Sequence, residues 1–143
     1  SPEQITTGIE SYLPSNNRSQ LINKNSNKII LDAYNANPVS LKAAVENLAN
    51  SKQKNKLAIL GDMKELGIYS REEHQAIVNL LLEKSLDAML VGDNFSKTEH
   101  GNLKTFDSAK EISTHFSNHP VKNSVILIKG SRSIGLEKIV EFL

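Results

Sequence analysis

Cysteine is absent from the 143-residue chain, which excludes disulfides and Cys-ligated metal centres and leaves the redox compartment unspecified. Charge of one sign is lacking too. With 17 basic and 16 acidic residues the formal net charge is +1, so no broad field points to nucleic acid or an anionic membrane, and any anion must be recognised locally. No apolar run approaches the ~20 residues that span a bilayer, and the first residues lack the charged and apolar regions of a signal peptide. A soluble cytoplasmic protein without nucleic-acid or membrane partners is expected. Repeats, heptad seams, low-complexity blocks and the P-loop spacing are also missing.

What remains is an alternation of short apolar runs with helical patterns. Ser1-Pro2-Glu3-Gln4 suits a capped helix start, and Ile5, Ile9, Tyr12 and Leu13 mark its apolar face. Residues 20–23 and 28–31 predict an antiparallel hairpin around Asn25-Ser26-Asn27. The second of these strands runs through a polar turn into a helix whose face is Leu41, Ala44, Val45 and Leu48. Asn37 fits the N-cap of that helix and Pro38 its first position, where a missing N–H costs nothing. From there strands are expected at 56–60, 88–91, 103–106 and 125–128, and helices at 70–85, 109–117 and 133–143. Ser70-x-x-Glu73 and Ser108-x-x-Glu111 read as capping boxes. The pattern predicts one α/β domain of Rossmann-like type, a mostly parallel twisted sheet of about six strands with an antiparallel edge hairpin and helices on both faces.

Polar residues gather where these strands end. Asp32, Asn35 and Asn37 offer an anionic acceptor and two amides, suited to ribose hydroxyls and a purine edge or phosphate, or else to satisfying the turn's own backbone donors. Tyr34 either stacks on a base or packs on the sheet. Gly61, Gly92 and Gly130 each follow a strand directly, where glycine permits a tight turn and close approach of a ligand. In Gly61-Asp62-Met63-Lys64-Glu65-Leu66-Gly67 the two carboxylates, Asp62 and Glu65, either orient an amine or bind a cation, or simply cap a helical turn. Lys129-Gly130-Ser131-Arg132 brings two cations, a hydroxyl and backbone N–H groups to a predicted helix start, an arrangement suited to a carboxylate or phosphate. The histidines, His74, His100, His115 and His119, follow no metal-site spacing, and packing or hydrogen bonding is the expected role of His74.

Three stretches, in this order, resemble the C-terminal domain of the Mur ligases. They are Asp32-Ala33-Tyr34-Asn35-Ala36-Asn37-Pro38 with Ser40 and Ala43-Ala44, then Gly61-Asp62-Met63-Lys64-Glu65-Leu66-Gly67, then Lys129-Gly130-Ser131-Arg132-Ser133. The Tyr-Asn-Ala-Asn-Pro form resembles the branch that joins D-alanyl-D-alanine to UDP-N-acetylmuramoyl tripeptide. The resemblance implies the last third of a three-domain ligase that uses ATP to phosphorylate the tripeptide's carboxylate before the dipeptide amine displaces phosphate. It implies nucleotide contacts from Arg18, Asp32, Tyr34, Asn35 and Asn37, and dipeptide contacts at Lys129, Gly130, Ser131 and Arg132. Asp62 and Glu65 become candidates beside the cleft. Magnesium is expected, with its ligands in the central domain, and the domain alone is expected to be inactive. Two departures stand out: Asn17 precedes Arg18 where the family usually has glycine, and Val78 replaces a common glycine after His74.

Two other classes remain open on the residues. A signalling receiver domain is superficially matched by Asp32, Asp62, Asp93 and Lys129, although only one acidic residue ends the first parallel strand and Gly130 stands where receivers usually carry proline. A bare interaction module predicts no ligand at Asn35 or Lys129.

Overall fold

The computed structural model describes residues 19–143; the expected first helix and Arg18 lie outside the described residues. A hairpin opens the fold, β1 (Gln20–Lys24) and β2 (Asn27–Asp32), turning at Asn25, which takes a left-handed φ of 55°. Next come α1 (Pro38–Asn50), β3 (Lys56–Gly61), α2 (Ser70–Glu83), β4 (Ala88–Val91), the short α3 (Asp93–Ser96), β5 (Lys104–Phe106), α4 (Ala109–Asn118) and β6 (Val125–Lys129). The six strands order as β1-β2-β6-β3-β4-β5. Among the described residues only the β1–β2 pair is antiparallel; β6 enters between β2 and β3, parallel to both.

Strand alternation builds two cores. Leu57 and Ile59 of β3, Ile126 and Ile128 of β6, and Ile29 and Leu31 of β2 face α4's Ile112 and Phe116 and the C-terminal Leu136 and Ile139. Their neighbours Ala58, Leu60 and Leu127 point the other way, against Leu41, Val45 and Leu48 of α1 and Ile77, Val78 and Leu81 of α2. A continuous apolar run such as 125–128 is what a strand covered on both faces requires. Each fully buried aliphatic contributes about 1.5–3 kcal/mol of burial energy, and both faces therefore anchor the strand ends firmly.

Local signals hold at α1. Asn37 Oδ1 accepts the Ser40 N–H at 2.9 Å while Ser40 Oγ accepts the Asn37 N–H at 3.2 Å, with Pro38 at the first turn. At α4, Ser108 Oγ accepts the Glu111 N–H, but the Glu111 carboxylate takes the Asp107 N–H at 2.7 Å. Two expectations are corrected. Ser70 does not cap α2: a 3-10 turn, Gly67–Tyr69, runs straight into the helix, and Ser70 N bonds to Gly67 O. The expected last helix is two 3-10 segments, Arg132–Ile134 and Leu136–Phe142, separated by Gly135 at φ 73°. A three-residue repeat aligns Leu136 with Ile139 on the core as well as an α-helix does.

Candidate functional site

Asp32 and Lys129 end adjacent parallel strands in direct register. Lys129 Nζ donates to Asp32 Oδ2 at 2.7 Å and to the Asn35 carbonyl at 3.2 Å. The Lys129 side chain is only 3% exposed, against 24% for Asp32. A desolvated ammonium needs both acceptors, so the strand-end pair also pins the turn that carries Asn35. Across the same turn the Arg132 guanidinium lies 5.6 Å from the centre of the Tyr34 ring, within cation–π range. Tyr34 itself stays 40% exposed. Asp32, Tyr34, Asn35, Asn37, Ser40 and Lys129 line a cavity of about 330 Å³. A groove of about 510 Å³ continues along α1 over Ile30 and Leu127, sharing Asp32, Ser40 and Lys129.

Of the residues that the resemblance divides between nucleotide and dipeptide, Asp32, Tyr34, Asn35, Asn37 and Lys129 thus line one mouth, with Arg132 beside Tyr34. Side-chain contacts that join the groups are Asp32 to Lys129 and Tyr34 to Arg132, beside the Lys129 bond to the Asn35 carbonyl. None is visible in local sequence, because the partners lie far apart along the chain, 97 residues in the case of Asp32 and Lys129. Of the N–H groups expected to be free at 129–132, that of Ser131 is taken, and the helix expected to start there is shorter and tighter. Ser131 N donates to Asp62 O at 3.1 Å, only a three-residue 3-10 turn starts at Arg132, and Lys129 is already neutralised. Arg132 is the exposed cation of that stretch.

The glycines at the strand ends admit protein atoms. A Cβ on Gly130 would stand 2.9 Å from Gly61 Cα, and one on Gly92, at φ 121°, would sit 2.4 Å from the Asp62 carboxylate carbon. Asp62 is 2% exposed, and its two oxygens accept the N–H groups of Asn94 and Phe95 at 2.9 and 3.0 Å, serving the free donors of α3. Glu65, the other carboxylate of the pair, is exposed at φ 63°. His74 is fully buried. The Met63 N–H donates to its Nε2 at 2.9 Å, so that nitrogen is the acceptor, and Nδ1 donates to Ser70 O at 2.7 Å. Asp62 Oδ1 lies 4.0 Å from Nε2, but a ring nitrogen that accepts a backbone N–H makes no ion pair with it. Among the described residues no three His, Asp or Glu side chains converge as a metal site, and no helix is long and apolar enough to cross a membrane.

The family model of the Mur ligase, glutamate ligase domain, matches residues 17–132. The chain belongs to the Mur ligase family. Over 131 residues it is 34% identical to the UDP-N-acetylmuramoyl-tripeptide--D-alanyl-D-alanine ligase of Rickettsia prowazekii, covering 87% of this chain and 29% of that one. It is 31% identical to the ligase of the same name in Bacillus subtilis, covering 99% and 34%. Among solved structures, MurF from Acinetobacter baumannii superposes with a TM-score of 0.77 at 31% identity, covering 99% of this chain and 32% of that one. MurF ligase from Thermotoga maritima in complex with ADP gives 0.75 at 24% identity over 90% and 30%, a likeness of fold. The Mur ligase domain described here spans about a third of the length of the relatives it matches.

Proposed function

We propose that this Mur ligase domain, residues 1–143, is the C-terminal third of a three-domain, ATP-dependent ligase that joins D-alanyl-D-alanine to UDP-N-acetylmuramoyl tripeptide in peptidoglycan precursor synthesis. The observation that carries the reading is the agreement in name of relatives that align with nearly the whole chain at 31–34% identity. The geometry supports a nucleotide at the mouth. Tyr34 presents a half-exposed ring, Asp32 keeps an oxygen, Oδ1, that Lys129 does not take, and Asn35 and Asn37 bring amides to the same cavity. These groups match a flat base, ribose hydroxyls and their edges.

ATP, with magnesium held by the central domain, supplies the phosphoryl group that activates the tripeptide's carboxylate. This domain's residues bind and orient. Asp32, Tyr34, Asn35 and Asn37 hold the nucleotide as the domain closes on the other two, and the family resemblance adds Arg18 to these contacts. Arg132 meets the dipeptide's carboxylate, and Lys129, Gly130 and Ser131 shape the turn beneath. Glu65 stands exposed on its loop as the candidate beside the cleft, whereas Asp62 at the loop's root, buried with both oxygens taken, holds the loop in place. Such chemistry depends on positioning and charge neutralisation, so a domain that lacks the other two thirds is inactive alone. ATP and a UDP-linked acceptor fit a cytoplasmic enzyme.

Phosphate release by the full-length protein, supplied with ATP, magnesium and UDP-N-acetylmuramoyl tripeptide, tests the reading. Release is expected to require D-alanyl-D-alanine and to fall at least tenfold, about 1.4 kcal/mol in the barrier, in folded Asn35→Ala and Lys129→Ala proteins. Dipeptide-independent release, or none from a folded protein, would reject it. The receiver alternative loses support at Asp62, whose oxygens are both taken by backbone N–H groups.

A further inference from the structure

His74 stands outside the mouth, and nothing in the ligase reading gives it a part. Its surroundings are nevertheless built to one purpose. The ring is fully buried, packed edge-on against Phe95 with centroids 4.7 Å apart, and both nitrogens are engaged. A backbone N–H can only donate, so Met63 N–H defines Nε2 as the lone-pair nitrogen, and the Ser70 carbonyl holds the proton on Nδ1. An aliphatic side chain would fill the space and leave the Met63 N–H unpaired.

The residue before Met63 is tied just as completely. Asp62 N donates to Val91 O at 3.0 Å, Asp62 O accepts from Ser131 N at 3.1 Å, and its carboxylate holds the start of α3. Residues 62 and 63 therefore knot three strand exits together: those of β3, β4 and β6. Two segments grow from the knot, each carrying an exposed charged side chain. One is the turn of Lys64 and Glu65, with Glu65 in a left-handed conformation; the other runs from Ser131 to Arg132, which reaches over Tyr34.

We infer that His74 is a positioning residue: through Met63 and Asp62 it sets the positions of the Lys64–Glu65 turn and of the Ser131–Arg132 turn, whose Arg132 lies over Tyr34 at the Asp32–Lys129 mouth. The inference rests on the ligase reading for the reaction it serves. Glutamine and asparagine separate its two bonds, since a Gln side-chain oxygen reaches the place of Nε2 and accepts the Met63 N–H, whereas Asn reaches only the place of Nδ1.

The experiment uses the full-length enzyme. Dipeptide-dependent phosphate release and hydrogen exchange at the Met63 amide are measured in wild type, His74→Gln and His74→Asn, each checked for a cooperative melt. His74→Asn is expected to expose the Met63 amide to exchange and to lower kcat about a hundredfold, the scale of an ångström of misplacement. His74→Gln is expected to restore amide protection and most of the rate. A folded His74→Asn that turns over at the wild-type rate, or keeps the Met63 amide protected, would overturn the inference. So would a folded His74→Gln as slow as His74→Asn, or, where His74→Asn does not fold, a folded His74→Gln that loses more than about tenfold. A wild-type enzyme without dipeptide-dependent release rejects the ligase reading instead.

Discussion

Lys129 shows how one residue can be read as a binding group and turn out to be held by its own fold. A lysine closing a strand suggests a free cation, but here Asp32 and the Asn35 carbonyl have already claimed it. Removing one partner is then costlier than removing both. Asp32→Ala is expected to destabilise the protein by about 3 kcal/mol, the low end for a buried pair because Asp32 keeps some solvent. Asp32→Ala combined with Lys129→Met should recover most of that loss, and denaturant midpoints of the two singles and the double measure the coupling. His115 gives a second residue-scale expectation. Burial first, then the charges of His119 and Lys104, hold its pKa below the usual 6.5. The unfolded chain therefore takes up this proton at a higher pH than the folded one. The stability it contributes is whole above the usual value, falls as the pH drops through 6.5 toward the folded value, and is flat below it. Melting temperatures compared between about pH 7.5 and about pH 5.5 should drop less in His115→Gln than in wild type.

At the scale of elements, much was legible in the sequence and the misses share one cause. The apolar run 125–128, the Asn37-Pro38 helix start and the hairpin turn at Asn25 are local patterns, and each appears where expected. The spacing of Ser70 to Glu73 fits a cap, while the chain before α2 is already wound as a 3-10 turn whose Gly67 carbonyl takes the Ser70 N–H, and the Ser70 carbonyl is turned to His74. The glycines after β3, β4 and β6 were read as leaving room for a ligand. Their neighbours are instead the Ile134 and Leu136 side chains for Gly61, the Gly61 backbone for Gly130 and the Asp62 carboxylate for Gly92, which only the order of strands reveals. The joining of Asp32 to Lys129 escaped for the same reason: chain order does not say that β6 lies beside β2. Gly92→Ala tests the crossing directly. At φ 121° with the carboxylate carbon 2.4 Å from the new Cβ, the substitution combines backbone strain with loss of the α3 cap. It is expected to cost at least about 3 kcal/mol, read as a lower denaturant midpoint.

For the molecule as a whole, the two cores lie on opposite faces of the sheet while the polar residues of the site crowd its carboxyl edge. A ligand there touches strand ends that both cores hold still, which is how an open α/β sheet presents a preorganised edge. The position of β6 carries a further consequence, for the order in which the protein can be made. The strand is the last of the six along the chain and yet lies third across the sheet. Until residues 125–129 leave the ribosome, the β1–β2 hairpin and the β3-β4-β5 trio share no ladder. Each meanwhile offers an open edge of the kind that pairs with a neighbouring chain. A product cut short before Val125 would therefore carry two vacant edges facing one gap, and would be a natural target for chaperones or aggregation. The strand that fills the gap also delivers Lys129 to Asp32, so the last step of sheet assembly and the completion of the proposed binding mouth are a single event.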